Sequence, residues 1–188
     1  MNKNSFPVHP GFIHLCDTPE VNATATNRLT RFVTLIALSL GMALAAQANE
    51  PDLYEVGDKF VPFSINDQHE NRVRVSPATG TKHLIISFTM GSGKDANRFF
   101  AEKGSTFLEE HEAKFLANIH GMPAVGRLFA LPKMKKYPHR ILLGDDEHLL
   151  DRIPIQKGKL TVLDFDRDNR ISRIRFMDPK RDLADLFD

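Results

Sequence analysis

Leu84-Ile85-Ile86-Ser87-Phe88-Thr89-Met90-Gly91-Ser92-Gly93-Lys94 sets a strand and the start of a helix end to end. The part up to Met90 is rich in apolar residues and shows no polar alternation. That pattern fits a strand covered on both faces, as in the middle of a parallel sheet. Gly91-Ser92-Gly93 then turns the chain toward a helical pattern beginning at Asp95. In open α/β sheets, ligands bind in the crevice beyond the carboxyl ends of the strands. The loop Gly91 to Lys94 is therefore the first place to look for a site.

Upstream, Gly57 to Ile65 predicts a strand, Asn66 to Asn71 a polar turn, and Val73 to Val75 a returning strand, together an N-terminal hairpin. Downstream, the helix from Asp95 ends at Gly104, and Ser105 caps a second short helix running to Glu112. Lys114 to Ile119 is another apolar strand. A helix carrying Val125, Leu128 and Phe129 follows, with Pro132 expected to break or kink it. Arg140 to Leu143 reads as a strand and Glu147 to Ile153 as a short helix. Leu160 to Phe165 and Ile171 to Phe176 form a terminal hairpin, and Pro179 to Phe187 a closing helix. Strands alternating with helices give an α/β class with a mixed sheet. Phe99, Phe100, Phe107, Phe115 and Phe129 are assigned to the core.

Ahead of this domain, Arg28 and Arg31 precede an apolar run from Phe32 to Ala46, and Ala46-Gln47-Ala48 has the small-x-small form of a signal peptidase site. The run is roughly fifteen residues, short of the roughly twenty that span a bilayer. Residues 1–48 are therefore an N-terminal extension with a cleaved signal peptide, and residues 49–188 the mature domain, expected in the periplasm without a stable membrane anchor. A transmembrane anchor is the alternative reading of the run. The polar stretch before Arg28 is long for a signal peptide, and a true start at Val21 or Leu29 would account for it.

The chain's 25 basic and 24 acidic residues include three and two before Asn49, so 22 of each remain in the mature part. A balance near zero argues against a nucleic-acid partner. The single cysteine, Cys16, lies upstream of the apolar run. The mature chain therefore holds no thiol and no disulfide.

Four stretches, in order, resemble the thioredoxin-like superfamily of the redoxin or peroxiredoxin type. They are Gly57-Asp58 to His69, Leu84 to Phe88, Arg140 to Asp145 with Leu149 to Ile155, and Leu163-Asp164-Phe165-Asp166-Arg167-Asp168-Asn169-Arg170-Ile171. The resemblance spans about residues 54 to 188. It implies a thioredoxin-like fold, a central mixed sheet flanked by helices with an N-terminal β-hairpin. Two departures concern function. The family's redox cysteines follow the strand Leu84 to Phe88, where this chain reads Met90-Gly91-Ser92-Gly93-Lys94-Asp95-Ala96. The family's cis-proline falls where this chain has Gln156-Lys157-Gly158-Lys159. Glu70 also stands where the family often has glycine. No catalytic residue carries over, and the implied function is a non-catalytic binding or accessory module. The alternative is an oxidoreductase that borrows a cofactor such as a flavin, for which no motif speaks; no cofactor is assigned.

Several patterns remain as candidates. Gly91-Ser92-Gly93-Lys94 lacks the spacing of a nucleotide P-loop, since Phe88 and Asp95 occupy two of its required places. The commonest reason for such a turn is geometric, but N–H groups at a helix start beside Lys94 could hold a small anion or a partner's carboxylate. Asp164, Asp166 and Asp168 have calcium-loop spacing, but Asn169 and Arg175 stand where Gly and Glu are needed, which makes this a hairpin turn. No histidine pair in the mature part has the spacing of a helical metal site. Each of these histidines is read as a surface or turn residue, with His120 the one expected to line the crevice. Lys133, Lys135, Lys136, His139 and Arg140 form a basic cluster at a helix end, open to an acidic partner or anionic headgroups.

Overall fold

The computed structural model describes residues 52–188, and the expected signal peptide lies outside them. Strands β1 (Phe63–Asn66) and β2 (Arg72–Val75) form an antiparallel hairpin, and β3 (His83–Ser87) follows a short 3₁₀ turn. Helix α1 (Met90–Lys103), the single-turn α2 (Phe107–Glu110), β4 (Ala113–Asn118), α3 (Ala124–Met134) and β5 (Leu142–Gly144) come next. β6 (Leu160–Phe165) and β7 (Ile171–Met177) end the sheet. The five-stranded sheet has the order β5-β4-β3-β6-β7. β3, β4 and β5 run parallel, and β6 and β7 are antiparallel additions. This strand order, with flanking helices and a separate N-terminal hairpin, is a thioredoxin-like fold.

β3 is central, with β4 on one side and β6 on the other. Ile85 enters one core with Phe100, Phe115 and Val162, while Leu84 and Ile86 enter a second core with Phe60, Val75 and Leu163. Both faces of the strand are thus dry, which is why its sequence lacks alternation. The second core lies under the N-terminal hairpin and the first under α1. Glu50–Asp188 is a compact unit, and both cores are built only from its residues.

The hairpin turn is fixed by side chains. The Asp67 carboxylate accepts the N–H groups of His69 and Asn71 at 2.8 and 3.0 Å. Glu70 sits in that turn with φ 70°, a left-handed conformation that glycine adopts more readily. Buried Gln68 clamps the approach to β5: its Nε2 donates to the His139 carbonyl and its Oε1 accepts from Ile141 N–H, both at 2.8 Å. In the β6–β7 turn, Asp166 Oδ1 accepts the N–H groups of Asp168 and Arg170, and Asn169 takes the left-handed position at φ 62°.

Some expectations need correction. β3 stops at Ser87, and α1 begins at Met90 rather than Asp95, because Thr89 caps it. Thr106, not Ser105, is the N-cap residue of α2. α3 runs to Met134 with Pro132 inside it; so near the end, the missing N–H forfeits one bond of the final turn. Glu147 to Ile153 is a series of turns, not a helix, and Pro179 to Phe187 holds only a 3₁₀ turn at Ala184–Leu186. These segments of seven and nine residues are shorter than the length at which helix nucleation is readily repaid, and their buried residues Leu150, Ile153, Leu183 and Leu186 are anchored by turns instead.

Candidate functional site

Thr89 ends the approach from β3 in extended conformation and caps α1. Its Oγ1 accepts the Ser92 N–H at 3.2 Å and shares a hydrogen bond with Ser92 Oγ at 2.8 Å. The Gly93 N–H already bonds to the Thr89 carbonyl at 3.0 Å. The Gly91–Lys94 stretch is therefore the first turn of the helix, not a loop ahead of it. The N–H groups from Gly93 onward belong to the helix ladder, so the helix-start dipole is presented by Met90 and Gly91.

The five sequence candidates separate. Gly91 is exposed on the first turn, and Ser92 is buried by its cap. Gly93 is where helix and sheet touch: a Cβ there would lie 3.1 Å from Ser87 Oγ. Lys94 is exposed and lines a groove at the carboxyl ends of β3 and β4. His120 is exposed in the turn after β4 and is not among the groove's lining residues. It lies instead beside Asp145, whose carboxyl is held below its usual range by hydrogen bonds from Arg127 and, to a lesser degree, by the charge of His120.

The groove runs between α1 and α3 and encloses about 430 Å³. Met90, Ile119, Met122, Phe129 and Met134 supply its apolar walls, and Lys94 and Lys133 its charges. No carboxylate is among the lining residues. Its volume falls in the range of small-ligand sites, and methionine side chains adapt to varied apolar partners. Lys94, Arg98 and Lys133 continue along an edge beside Tyr137 that also carries Glu102.

Phe129 is the main surprise. It is 76% exposed, with Val125 at 66% and Leu128 at 71%, where the sequence assigns them to the core or its helix face. α3 has two apolar faces. Leu131 and Met134 pack toward the core, leaving Val125, Leu128 and Phe129 outward. Arg127 fixes this choice with a bidentate pair to Asp145 and further bonds to the carbonyls of Met122 and Ile119. An arginine on the inward side is the signal in the sequence, but its partner Asp145 lies eighteen residues on.

His139 corrects the basic cluster. It is fully buried, with Nε2 2.9 Å from Asn97 Oδ1, and it packs beside Phe100, Phe115 and Tyr137. Burial pushes its imidazole pKa down to about 4, so it is neutral and contributes no charge to the surface. Asn97 lines the groove and links it to this buried ring.

A second cluster joins β3, β6 and β7. Asp164 Oδ1 lies 2.7 Å from His83 Nδ1 and 2.8 Å from Arg175 Nη2. Burial raises the Asp164 pKa, but its bonds to His83 and Arg175 outweigh this and the net shift is downward. The cluster ties three strands together. Among the described residues, no group of three or more His, Cys, Asp or Glu side chains could hold a metal ion.

No family model and no curated protein matches the chain. Solved structures are similar to it at low identity. A peroxiredoxin-like protein from Aquifex aeolicus is 11% identical with a TM-score of 0.46, over 68% of this chain and 79% of that one. The thioredoxin domain of a thiol-disulfide oxidoreductase from Bacteroides vulgatus is 11% identical with a TM-score of 0.46, over 72% and 99%. A thio-disulfide isomerase from Thermus thermophilus is 20% identical with a TM-score of 0.45, over 71% and 94%. The strand order and the hairpin carry the fold assignment by themselves.

Proposed function

We propose that this protein is a periplasmic binding or accessory module that works without thiol redox chemistry. The groove between α1 and α3 receives a partner segment with an apolar body and a carboxylate. One observation carries this reading: the groove pairs methionine and phenylalanine walls with Lys94 and Lys133 and has no carboxylate among its lining residues. A carboxylate seated there meets two cations and the dipole at the start of α1. The chain from Asn49 onward holds no cysteine, and a thiolate is the nucleophile of both disulfide exchange and thiol peroxidase chemistry. Binding is the work left to such a groove.

The test uses a fluorescent peptide of alternating Leu and Glu, followed by anisotropy. Lys94→Glu and Lys133→Glu should each weaken binding several-fold and leave the melting temperature nearly unchanged. Equal affinity in both variants would overturn the reading. Export is checked separately, by N-terminal sequencing of protein from the periplasmic fraction, expected to begin at Asn49. Full-length protein confined to the cytoplasm would refute that part.

A further inference from the structure

The outer face of α3 reaches beyond the groove: Val125, Leu128, Pro132 and Lys136 are not among its lining residues, and Phe129 and Lys133 stand at its rim. At 100° per residue, Val125, Leu128, Phe129 and Pro132 fall on one stripe, opposite Met134. All four are exposed, and no residue of α3 is fully buried. Leu128 and Phe129 keep 71% and 76% of their surface exposed and Val125 66%, so the stripe protrudes.

The charge around it is one-sided. From Ala113 to Gly144 there is no acidic residue, against six lysines and arginines. Arg127 is paired with Asp145, Lys135 with Glu70, and Arg140 with Asp67 and Glu109. Lys133 and Lys136 are exposed and have no ion-pair partner among the described residues. Both stand at the carboxyl end of the stripe, where the helix dipole already favours anions least and cations most.

We propose that the outer face of α3 docks reversibly on an anionic lipid surface. Val125, Leu128 and Phe129 enter the headgroup boundary while Lys133 and Lys136 meet the phosphates. A protruding apolar stripe flanked by lysines is the composition of an interfacial helix, and a bilayer needs no matching concave shape, as a protein partner would. Basic residues near such a surface each add attraction that salt screens. No helix among the described residues is long and apolar enough to cross a membrane, and docking of this kind needs none. Phe129 and Lys133 also line the groove, so lipid docking and groove binding share these two side chains.

The experiment is flotation of residues 50–188 with vesicles of phosphatidylcholine alone, and of phosphatidylcholine mixed with phosphatidylglycerol. The protein should float with the mixed vesicles at low salt, and stay behind with neutral vesicles or at high salt. Leu128→Ser combined with Phe129→Ser should abolish flotation. Lys133→Gln and Lys136→Gln should each lower the partition coefficient about fivefold. All these positions are exposed, and circular dichroism confirms that each variant is folded. Absence of flotation with mixed vesicles at low salt would overturn the proposal. So would flotation that the Leu128/Phe129 variant retains in full. A protein that is dimeric without lipid, and monomeric in that variant, would assign the stripe to a second copy of the chain instead.

Discussion

α1 buries Ala96, Asn97 and Phe100 and meets the sheet through Gly93, whereas α3 buries no residue fully and turns Val125, Leu128 and Phe129 to solvent. Both helices follow parallel strands, and both border the same groove. α1 has a side-chain cap at its start and a glycine at its end, where Gly104 N–H bonds to Phe100 O at 3.1 Å. α3 starts at Pro123 without a side-chain cap bond and ends among lysines. One helix is part of the core and the other is attached to it by Leu131, Met134 and the Arg127–Asp145 pair. An apolar pattern of the right period shows that a helix exists. It does not show how deeply the helix is buried.

The largest expected effect tests this contrast directly. Phe100 is fully buried against Phe115 and His139, so Phe100→Ala should cost about 3–5 kcal/mol. Phe129→Ala on the exposed helix should change stability by no more than about 0.5 kcal/mol. Chemical denaturation of the two variants measures both values. Comparable losses would mean that α3 is part of the core.

The next effect is one of pH, and it belongs to the α1 side. His139 is neutral in the folded protein, with a pKa of about 4 against an ordinary 6.5. Above pH 6.5 the ring is neutral in both states and its full contribution is present. Between pH 6.5 and 4 the unfolded chain takes up the proton and the folded one does not, so stability falls as pH falls. The loss is on the order of 3 kcal/mol by pH 4. His148 opposes this, since its pKa is raised by hydrogen bonding to Asp151, so its contribution is present at low pH and lost as pH rises. Denaturation of His139→Gln should show a flatter dependence over the same window.

Two smaller effects concern how the helices are tied in. Thr89→Ala removes the cap of α1 and should cost about 1 kcal/mol. Glu70→Gly deletes the Lys135–Glu70 pair that reaches α3 but relieves a left-handed backbone. A surface pair contributes about 0–1 kcal/mol and the left-handed position costs about 1–2. The variant should therefore be more stable by about 0.5 kcal/mol. A loss instead would show that α3 depends on its surface ion pairs.

The sheet was legible because its strands are local patterns: Leu84 to Ile86 without alternation, and a β6–β7 turn marked by Asp166 and Asn169. The left-handed turn at Glu70 was legible too, since the resemblance points to glycine there. The candidate site was legible in part. Lys94 lies on the groove, but the apolar walls at Met90, Met122, Phe129 and Met134 come from three segments that no local pattern connects. Helix α1 starts five residues earlier than Asp95 because a threonine cap outweighs two glycines in the first turn. His139 looked like one more cation among lysines, and its burial depends on Asn97 and Gln68, distant in sequence.

The most direct test is an amide NMR titration of residues 50–188 with the Leu/Glu peptide. If the groove between α1 and α3 is the binding site, the amides of Met90 to Lys94 and of Gly126 to Met134 shift together and saturably. Those of β7 stay in place, and Lys94→Glu weakens the response. Unmoved groove amides, with a response confined to the His83–Asp164–Arg175 face, would contradict the account and move the function to the other edge of the sheet.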